Sequence, residues 1–177
     1  MSIIKYKQFV FEKYISNLDI IDRCEIIAEE LNSKYLDEEV VLLGLLDGCL
    51  PFMKDLSKFL KFNFQSYFIK VSSYKGFDSG DIKFESSLKK SDIYNKNIIV
   101  VDDIIDTGKT ICYVKSYLEK LQAKKIKIAS LLVKDSSLKL TDWFGFKIDD
   151  EFVIGYGMDL DDEFRDLEHI YIKKNNE

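Results

Sequence analysis

The 177-residue sequence is poor in the residues that punctuate, cross-link or anchor a chain: it has one proline, one histidine, one tryptophan and three cysteines. Pro51 stands alone, and no Pro-, Gly- or Ser-rich linker, repeat or low-complexity tract divides the chain. A single domain, residues 1–177, is the economical expectation, and a chain of this length buries about 70% of its unfolded surface in one core. Cys24, Cys49 and Cys112 are odd in number and far apart, which argues against a disulfide framework and a zinc site and fits a reducing cytosol. The lone His169 has no partner apparent in the sequence and is expected to be structural; Trp143 and Phe144 read as core. No stretch approaches the ~20 apolar residues a membrane helix needs. Lys5, Tyr6, Lys7 and Glu12 break up the N-terminus, so no secretory h-region stands there. Positive charge is in deficit, with 26 Lys and Arg against 31 Asp and Glu; a net charge of -5 argues against a nucleic-acid binder and its basic face. The expectation is a cytoplasmic protein with neither a membrane nor a nucleic acid as partner.

What is present is concentrated in one run, Ile98-Ile99-Val100-Val101-Asp102-Asp103-Ile104-Ile105-Asp106-Thr107-Gly108-Lys109-Thr110. Its apolar start reads as a strand buried on both faces, as in a parallel sheet. Ligands of such sheets sit beyond the carboxyl ends of the strands, where Asp102 to Thr110 would lie. Thr107, Gly108, Lys109 and Thr110 then offer backbone N–H groups at a helix N-terminus, a ready phosphate site. Carboxylates beside a phosphate cradle imply a metal or a sugar diol between them, because bare carboxylates repel phosphate. The combination points to a phosphorylated sugar. Gly108-Lys109-Thr110 also matches the end of a P-loop, but the leading glycine of that motif would stand at Asp103, so a nucleoside-triphosphatase is excluded.

Around this run the pattern alternates strand and helix. Leu18 to Leu31 places Ile20, Ile21, Cys24, Ile27, Ala28 and Leu31 on one helical face. Val40 to Leu46 reads as a buried strand ending at Asp47-Gly48. Pro51 opens a helix with Phe52, Leu56, Phe59 and Leu60 as its stripe. Phe64 to Val71 reads as a strand, Asn97 to Asp102 as the central strand, Thr110 to Leu121 as a helix, and Lys125 to Val133 as a strand ending at Lys134. Phe152 to Gly157 is expected as a short strand and turn, and His169 to Ile172 as a last strand. The polar stretch from Ser72 to Lys90 is long for a connection and reads as a mobile lid. The whole describes an α/β protein, a doubly wound sheet with helices on both faces.

The run from Ile98 to Thr110 resembles the phosphoribosyl-diphosphate motif of type I phosphoribosyltransferases: an apolar strand, two acidic residues, two apolar residues and a turn ending in Gly-x-Thr. Leu46-Asp47-Gly48, Ser73-Tyr74, Leu131-Leu132-Val133-Lys134, Phe152 to Asp159 and Phe164-Arg165 follow in the order of the hypoxanthine(-guanine) phosphoribosyltransferases, so that the likeness covers about Val40 to Ile172. The resemblance implies a central, mostly parallel sheet flanked by helices, with a small hood and a mobile lid loop at about residues 72–90. It further implies transfer of the 5-phosphoribosyl group from phosphoribosyl diphosphate to hypoxanthine or guanine, giving IMP or GMP and pyrophosphate. Mg²⁺ is the implied cofactor and a homodimer or homotetramer the implied assembly.

On this resemblance Asp106 exchanges a proton with N7 of the purine, although an Asp before Thr107 also suits a helix N-cap. Asp102, Asp103, Asp106, Thr107, Gly108, Lys109 and Thr110 hold the phosphoribosyl group, with Lys109 equally suited to solvent. Asp102, Asp103 and Asp159 are the metal-facing carboxylates. Family members usually carry Glu where Asp102 stands, one methylene longer, which leaves open whether Asp102 meets ribose or metal. Lys134 donates to the exocyclic O6, Phe152 stacks on the purine, and Val153 and Asp159 read its edge; alone, Lys134 reads as a surface lysine and Phe152 as core. Asp47, Gly48 and Arg165 meet pyrophosphate, and Ser73 and Tyr74 begin the lid. The family often has Lys or Arg where Asp47 stands, so this carboxylate must point away and Gly48 must admit the backbone approach. Asp161, Asp162 and Glu163 read as a solvated charge run. Two alternatives stay open: a regulator that keeps the site as a sensor, and an enzyme of the same fold acting on xanthine or a pyrimidine.

Overall fold

The computed structural model describes residues 3–73, 82–85 and 88–174. In chain order the elements are strands β1 (Ile3–Tyr6) and β2 (Phe9–Ile15), helix α1 (Asn17–Tyr35), β3 (Val40–Leu46), α2 (Leu50–Ser57), β4 (Phe64–Ser73), β5 (Ile82–Glu85), the one-turn α3 (Lys90–Ile93), β6 (Asn97–Ile105), α4 (Lys109–Lys120), β7 (Lys125–Lys134), a 3-10 helix (Asp135–Leu140), β8 (Trp143–Ile148), β9 (Val153–Ile154) and β10 (Ile170–Lys173). The larger sheet has the order β5-β4-β3-β6-β7-β8, parallel except for β5. The smaller sheet, β1-β2-β10-β9, is antiparallel and forms the hood.

Strands β3 and β6 are apolar at successive positions because both of their faces are covered. Val40 and Leu42 join Ile99 and Val101 in a core with α1 and α2, while Val41, Leu43 and Leu45 join Ile98 and Val100 in a second core with α4. Each fully buried Leu or Ile contributes roughly 1.5–3 kcal/mol relative to exposure, so these two layers hold the central strands in place. Helix α1 starts at a capping box: the Asp19 N–H donates to the Ser16 hydroxyl and the Ser16 N–H to the Asp19 carboxylate, each at 3.2 Å. Its buried stripe of Ile20, Cys24, Ile27, Ala28 and Leu31 matches the expected face, and the helix continues to Tyr35.

Several expectations are corrected. His169 does have a partner: its Nδ1 accepts the Asn17 N–H at 3.0 Å, which ties the start of α1 to the end of the hood. Helix α2 ends at Ser57, so Phe59 and Leu60 follow it and pack against the core from the next turn. Strand β6 runs on to Ile105, three residues past Asp102, because Ile104 and Ile105 keep pairing with Leu132 and Val133 of β7. Within the expected lid, β4 extends through Ser73, and residues 82–85 pair with residues 70–73 as β5. Tyr74 and the rest of residues 74–81 and 86–87 lie outside the described residues, as does the Ser73 side chain. The hood strands β1 and β2 and the edge strand β8 are additions. In β8, Trp143 is buried as expected and Phe144 is partly buried against the second core.

Candidate functional site

Three corners of one site lie at the carboxyl ends of β3, β6 and β7. The first is the turn between β6 and α4. Gly108 is the residue before α4 and has φ 72, in the left-handed region that strains any side-chain-bearing residue; a Cβ there would also lie 2.0 Å from Leu140 Cδ1. Among the described residues the cap position of α4, a glycine, supplies no side-chain hydrogen bond to its first turn. Its leading N–H groups are therefore open to an anion, and the helix dipole favours one. A cavity of about 190 Å³ is lined here by Asp102, Ile104, Ile105, Asp106, Thr107, Gly108, Lys109, Thr110 and Ile111. Asp106 is not the N-cap: Gly108 occupies that position, and the Asp106 carboxylate turns instead to Lys134.

The second corner is a cavity of about 240 Å³ lined by Asp103, Ile104, Asp106, Lys134, Glu151, Phe152, Val153, Met158 and Asp159. It shares Ile104 and Asp106 with the first, so the two adjoin. Lys134, at the end of β7, places its Nζ 2.8 Å from Asp106 Oδ1 and 2.7 Å from Asp150 Oδ1. The hydrogen bonds to Asp106 and then Asp150 hold the Lys134 ammonium above the usual lysine value. Phe152 is 46% exposed, so its ring is not core; one side approaches Phe11, at 6.3 Å between ring centroids. Val153 is buried in β9. A flat apolar face, a cation and a carboxylate here border one space suited to a planar heterocycle.

The third corner is tight. A Cβ on Gly48 would lie 1.8 Å from Asp103 Oδ2, and one on Gly157, which has φ 98, would lie 2.1 Å from the Gly48 carbonyl oxygen. Arg165 donates to the Gly157 carbonyl at 2.8 Å and pairs with Asp159 at 2.6 Å. The Leu46–Asp47 peptide is cis, and Asp47 pairs with Lys70 at 3.1 Å. Asp47 thus has an ion partner on the neighbouring strand. In the stretch expected as a solvated run, Asp161 is paired with Lys7, and Asp162 Oδ1 lies 3.8 Å from Arg165.

Asp102 and Asp103 stand between the corners. Burial, and then the neighbouring Asp103 carboxylate, push Asp102 well above the usual carboxylate range. Burial also raises Asp103, while hydrogen bonds from its surroundings and the charge of Arg165 pull it back. Asp102 Oδ1 accepts the Asp103 N–H at 3.2 Å, and Asp103 Oδ1 accepts the Ile104 N–H at 2.9 Å. Among the described residues no group of three or more His, Cys, Asp or Glu side chains is arranged to hold a metal ion.

Residues 102–110, 134, 152, 153 and 159 are therefore brought together around two joined cavities, and Asp47, Gly48 and Arg165 around the adjoining corner. Sequence reasoning missed Asp150, which shares Lys134; Glu151, whose Oε2 is buried without a hydrogen-bond partner among the described residues; and Lys70. The run Asp149-Asp150-Glu151 directly before Phe152 was a signal for the first two. A cavity of about 260 Å³ lies at the opposite end of the sheet, lined by Glu39, Val40, Val41, Asn63, Phe64, Gln65 and Lys96. Ligands of parallel sheets bind at the carboxyl ends of the strands, so the joined pair is the stronger candidate.

Comparison with known proteins gives a consistent result. A family model described as the phosphoribosyl transferase domain matches residues 12–161. The chain is 36% identical over 165 residues to the hypoxanthine-guanine phosphoribosyltransferase of Bacillus subtilis, covering 90% of this chain and 91% of that one. It is 37% identical over 163 residues to the hypoxanthine phosphoribosyltransferase of Buchnera aphidicola, covering 88% and 92%. Among solved structures, a hypoxanthine-guanine phosphoribosyltransferase of Bacillus anthracis aligns with a TM-score of 0.83 at 30% identity, covering 93% of this chain and 97% of that one. A Trypanosoma cruzi hypoxanthine phosphoribosyltransferase complexed with its product IMP aligns with a TM-score of 0.84 at 28% identity, covering 97% and 94%.

Proposed function

Because the chain belongs to the phosphoribosyl transferase domain family, we propose that it is a purine salvage enzyme of the hypoxanthine(-guanine) phosphoribosyltransferase type. It transfers the 5-phosphoribosyl group of phosphoribosyl diphosphate to hypoxanthine or guanine and releases IMP or GMP with pyrophosphate. The observation that carries this reading is Lys134 Nζ at 2.8 Å from Asp106 Oδ1 in a cavity bordered by Phe152. A 6-oxopurine presents O6 and N7 side by side on one edge. A lysine, which only donates, suits O6, and a carboxylate beside it suits a proton on N7.

In the forward reaction the bond between N9 and C1′ forms as the bond from C1′ to the diphosphate oxygen breaks. The pyrophosphate leaves with the electron pair, and the N7 proton passes to Asp106. Phe152 holds the ring, with Val153 and Asp159 along its edge. The N–H groups from Thr107 to Thr110 hold the 5′-phosphate. Gly48 and Arg165 face the diphosphate, the arginine as a planar donor. Confining the base and C1′ in adjoining cavities supplies proximity, and excluding water protects an oxocarbenium-like ribose. The lid, beginning at Ser73 and Tyr74, is assigned that covering role.

Mg²⁺ suits the donor set, because it uses one or two carboxylates plus substrate phosphates rather than an all-protein cage. Asp103 and Asp159, with Asp102 behind them, would hold it, and when bound it neutralises diphosphate charge. Burial and mutual repulsion of Asp102 and Asp103 mark a place where a cation is favourable. Among the described residues no helix is long and apolar enough to cross a membrane, and we assign residues 1–177 to one cytoplasmic domain that assembles as a homodimer or homotetramer.

The test is incubation with phosphoribosyl diphosphate, Mg²⁺ and each purine base in turn, followed by ultraviolet absorbance. Turnover with hypoxanthine, and with guanine, is expected. Absence of turnover with every base would replace the enzyme with a sensor, and turnover with xanthine alone would change the substrate.

A further inference from the structure

The loop after β3 carries an acidic residue, Asp47, beside the backbone that a polyanion would approach. Asp47 directly precedes Gly48, whose backbone is pressed between Asp103 and Gly157. Asp102, Asp103 and Asp159 already crowd this corner with acidic groups. Arg165 is the cation on the hood side, and it is engaged by Asp159 at 2.6 Å. An uncompensated Asp47 would add one more negative charge on the approach to the Gly48 backbone.

Lys70 answers that charge from a different strand. β3 and β4 run parallel with Leu46 opposite Lys70, so the residue after Leu46 meets the lysine just beyond the carboxyl end of β3, three residues before the end of β4. Lys70 Nζ lies 3.1 Å from Asp47 Oδ2, and both side chains are about half exposed. An ion pair this open contributes little to folding. An ammonium has three donors, and Asp47 uses one of them.

We propose that Lys70 is a further binding residue for the diphosphate end of phosphoribosyl diphosphate: its ammonium neutralises Asp47 and turns its remaining donors to the diphosphate at the Gly48 backbone. This rests on the function proposed above. Asp47 and Lys70 then act in opposite senses on one ligand, although they form a pair with each other. A merely structural ion pair would make the two substitutions equivalent.

The test compares Lys70→Met, Asp47→Asn and the double variant, measuring thermal midpoint, KM for each substrate, and calorimetric binding of phosphoribosyl diphosphate with Mg²⁺ at low and high salt. Lys70→Met is expected to raise KM for phosphoribosyl diphosphate by roughly five- to tenfold, the scale of one lost charged hydrogen bond, with KM for the purine and the thermal midpoint nearly unchanged. The loss should shrink at high salt. Asp47→Asn is expected to hold or lower that KM, and the double variant to lie between the single ones. The inference is overturned if both single variants weaken the diphosphate substrate alike, or if Lys70→Met leaves its binding unchanged. Calorimetry needs no purine, so a protein that turned over no base would lose the proposed function and still decide this point.

Discussion

The corner proposed to face the 5′-phosphate and the corner proposed to face the diphosphate are built in opposite ways. The first is one contiguous segment, Asp102 to Thr110, in which the strand, the left-handed Gly108 and the uncapped start of α4 follow one another along the chain. The second is assembled from pieces far apart in sequence: Gly48 after β3, Gly157 and Arg165 in the hood, and Asp103 of β6. A contiguous site depends on local geometry and fails residue by residue. An assembled one depends on how sheet and hood fit, so a substitution with no polar atom can disable it.

Asp106→Asn breaks the contiguous side most severely. General acid–base assistance contributes roughly 10²–10⁴-fold, so kcat should fall by about that factor while the fold persists. Steady-state kinetics with hypoxanthine checks it, and an unchanged kcat would remove Asp106 from the chemistry. On the assembled side the matching substitution is Gly48→Ala. Its added Cβ would sit 1.8 Å from Asp103 Oδ2, so that carboxylate, whose Oδ1 accepts the Ile104 N–H, must move. A displacement of about 1 Å costs roughly 10²-fold in a positioned reaction. Activity should drop on that scale, and a variant with wild-type kinetics would show that the corner is looser than its contacts imply.

This contrast also separates what the sequence announces from what it hides. The buried strand and turn from Ile98 to Thr110 are legible because periodicity and turn chemistry are local, and so is the buried face of α1. Lys134 beside Asp106 is a matter of register between β6 and β7, and Lys70 beside Asp47 of register between β3 and β4; neither register is written in the spacing. The hood strands β1 and β2 escaped because they are half exposed, with Phe11 and Ile15 as the buried positions among charged neighbours. The alternative role of Asp106 as a helix cap depends on where the helix starts, which the sequence left open: Gly108 takes the cap position, and the Asp106 carboxylate pairs with Lys134.

Lys134→Ala sharpens the comparison at the purine, between the two corners. It removes the donor assigned to O6 and leaves Asp106 without its 2.8 Å partner. KM for the purine should rise roughly tenfold, the scale of one charged hydrogen bond, while KM for phosphoribosyl diphosphate stays close to that of the parent. A change confined to the diphosphate substrate would contradict the assignment.

The smallest effect concerns stability, at the point where both corners meet. Burial and Asp103 raise the Asp102 carboxyl well above its ordinary value near 3.8. A carboxyl whose folded value is raised stabilises the fold fully only below its unfolded value, and that contribution is lost as pH rises through the folded value. At neutral pH the buried Asp102 carboxyl therefore costs stability, and Asp102→Asn should relieve that cost while keeping an acceptor for the Asp103 N–H. A relief of ~1 kcal/mol raises the thermal midpoint by about 2–4 °C in a domain of this size. Measured in chelator, the gain should be larger near neutral pH than in acid and fade as pH falls below the ordinary value near 3.8, where Asp102 becomes protonated in both states. Added Mg²⁺ should narrow the gap by favouring the parent. A midpoint that falls at neutral pH, or a gain that grows in acid, would mean that hydrogen bonding to the Asp102 carboxylate outweighs its burial.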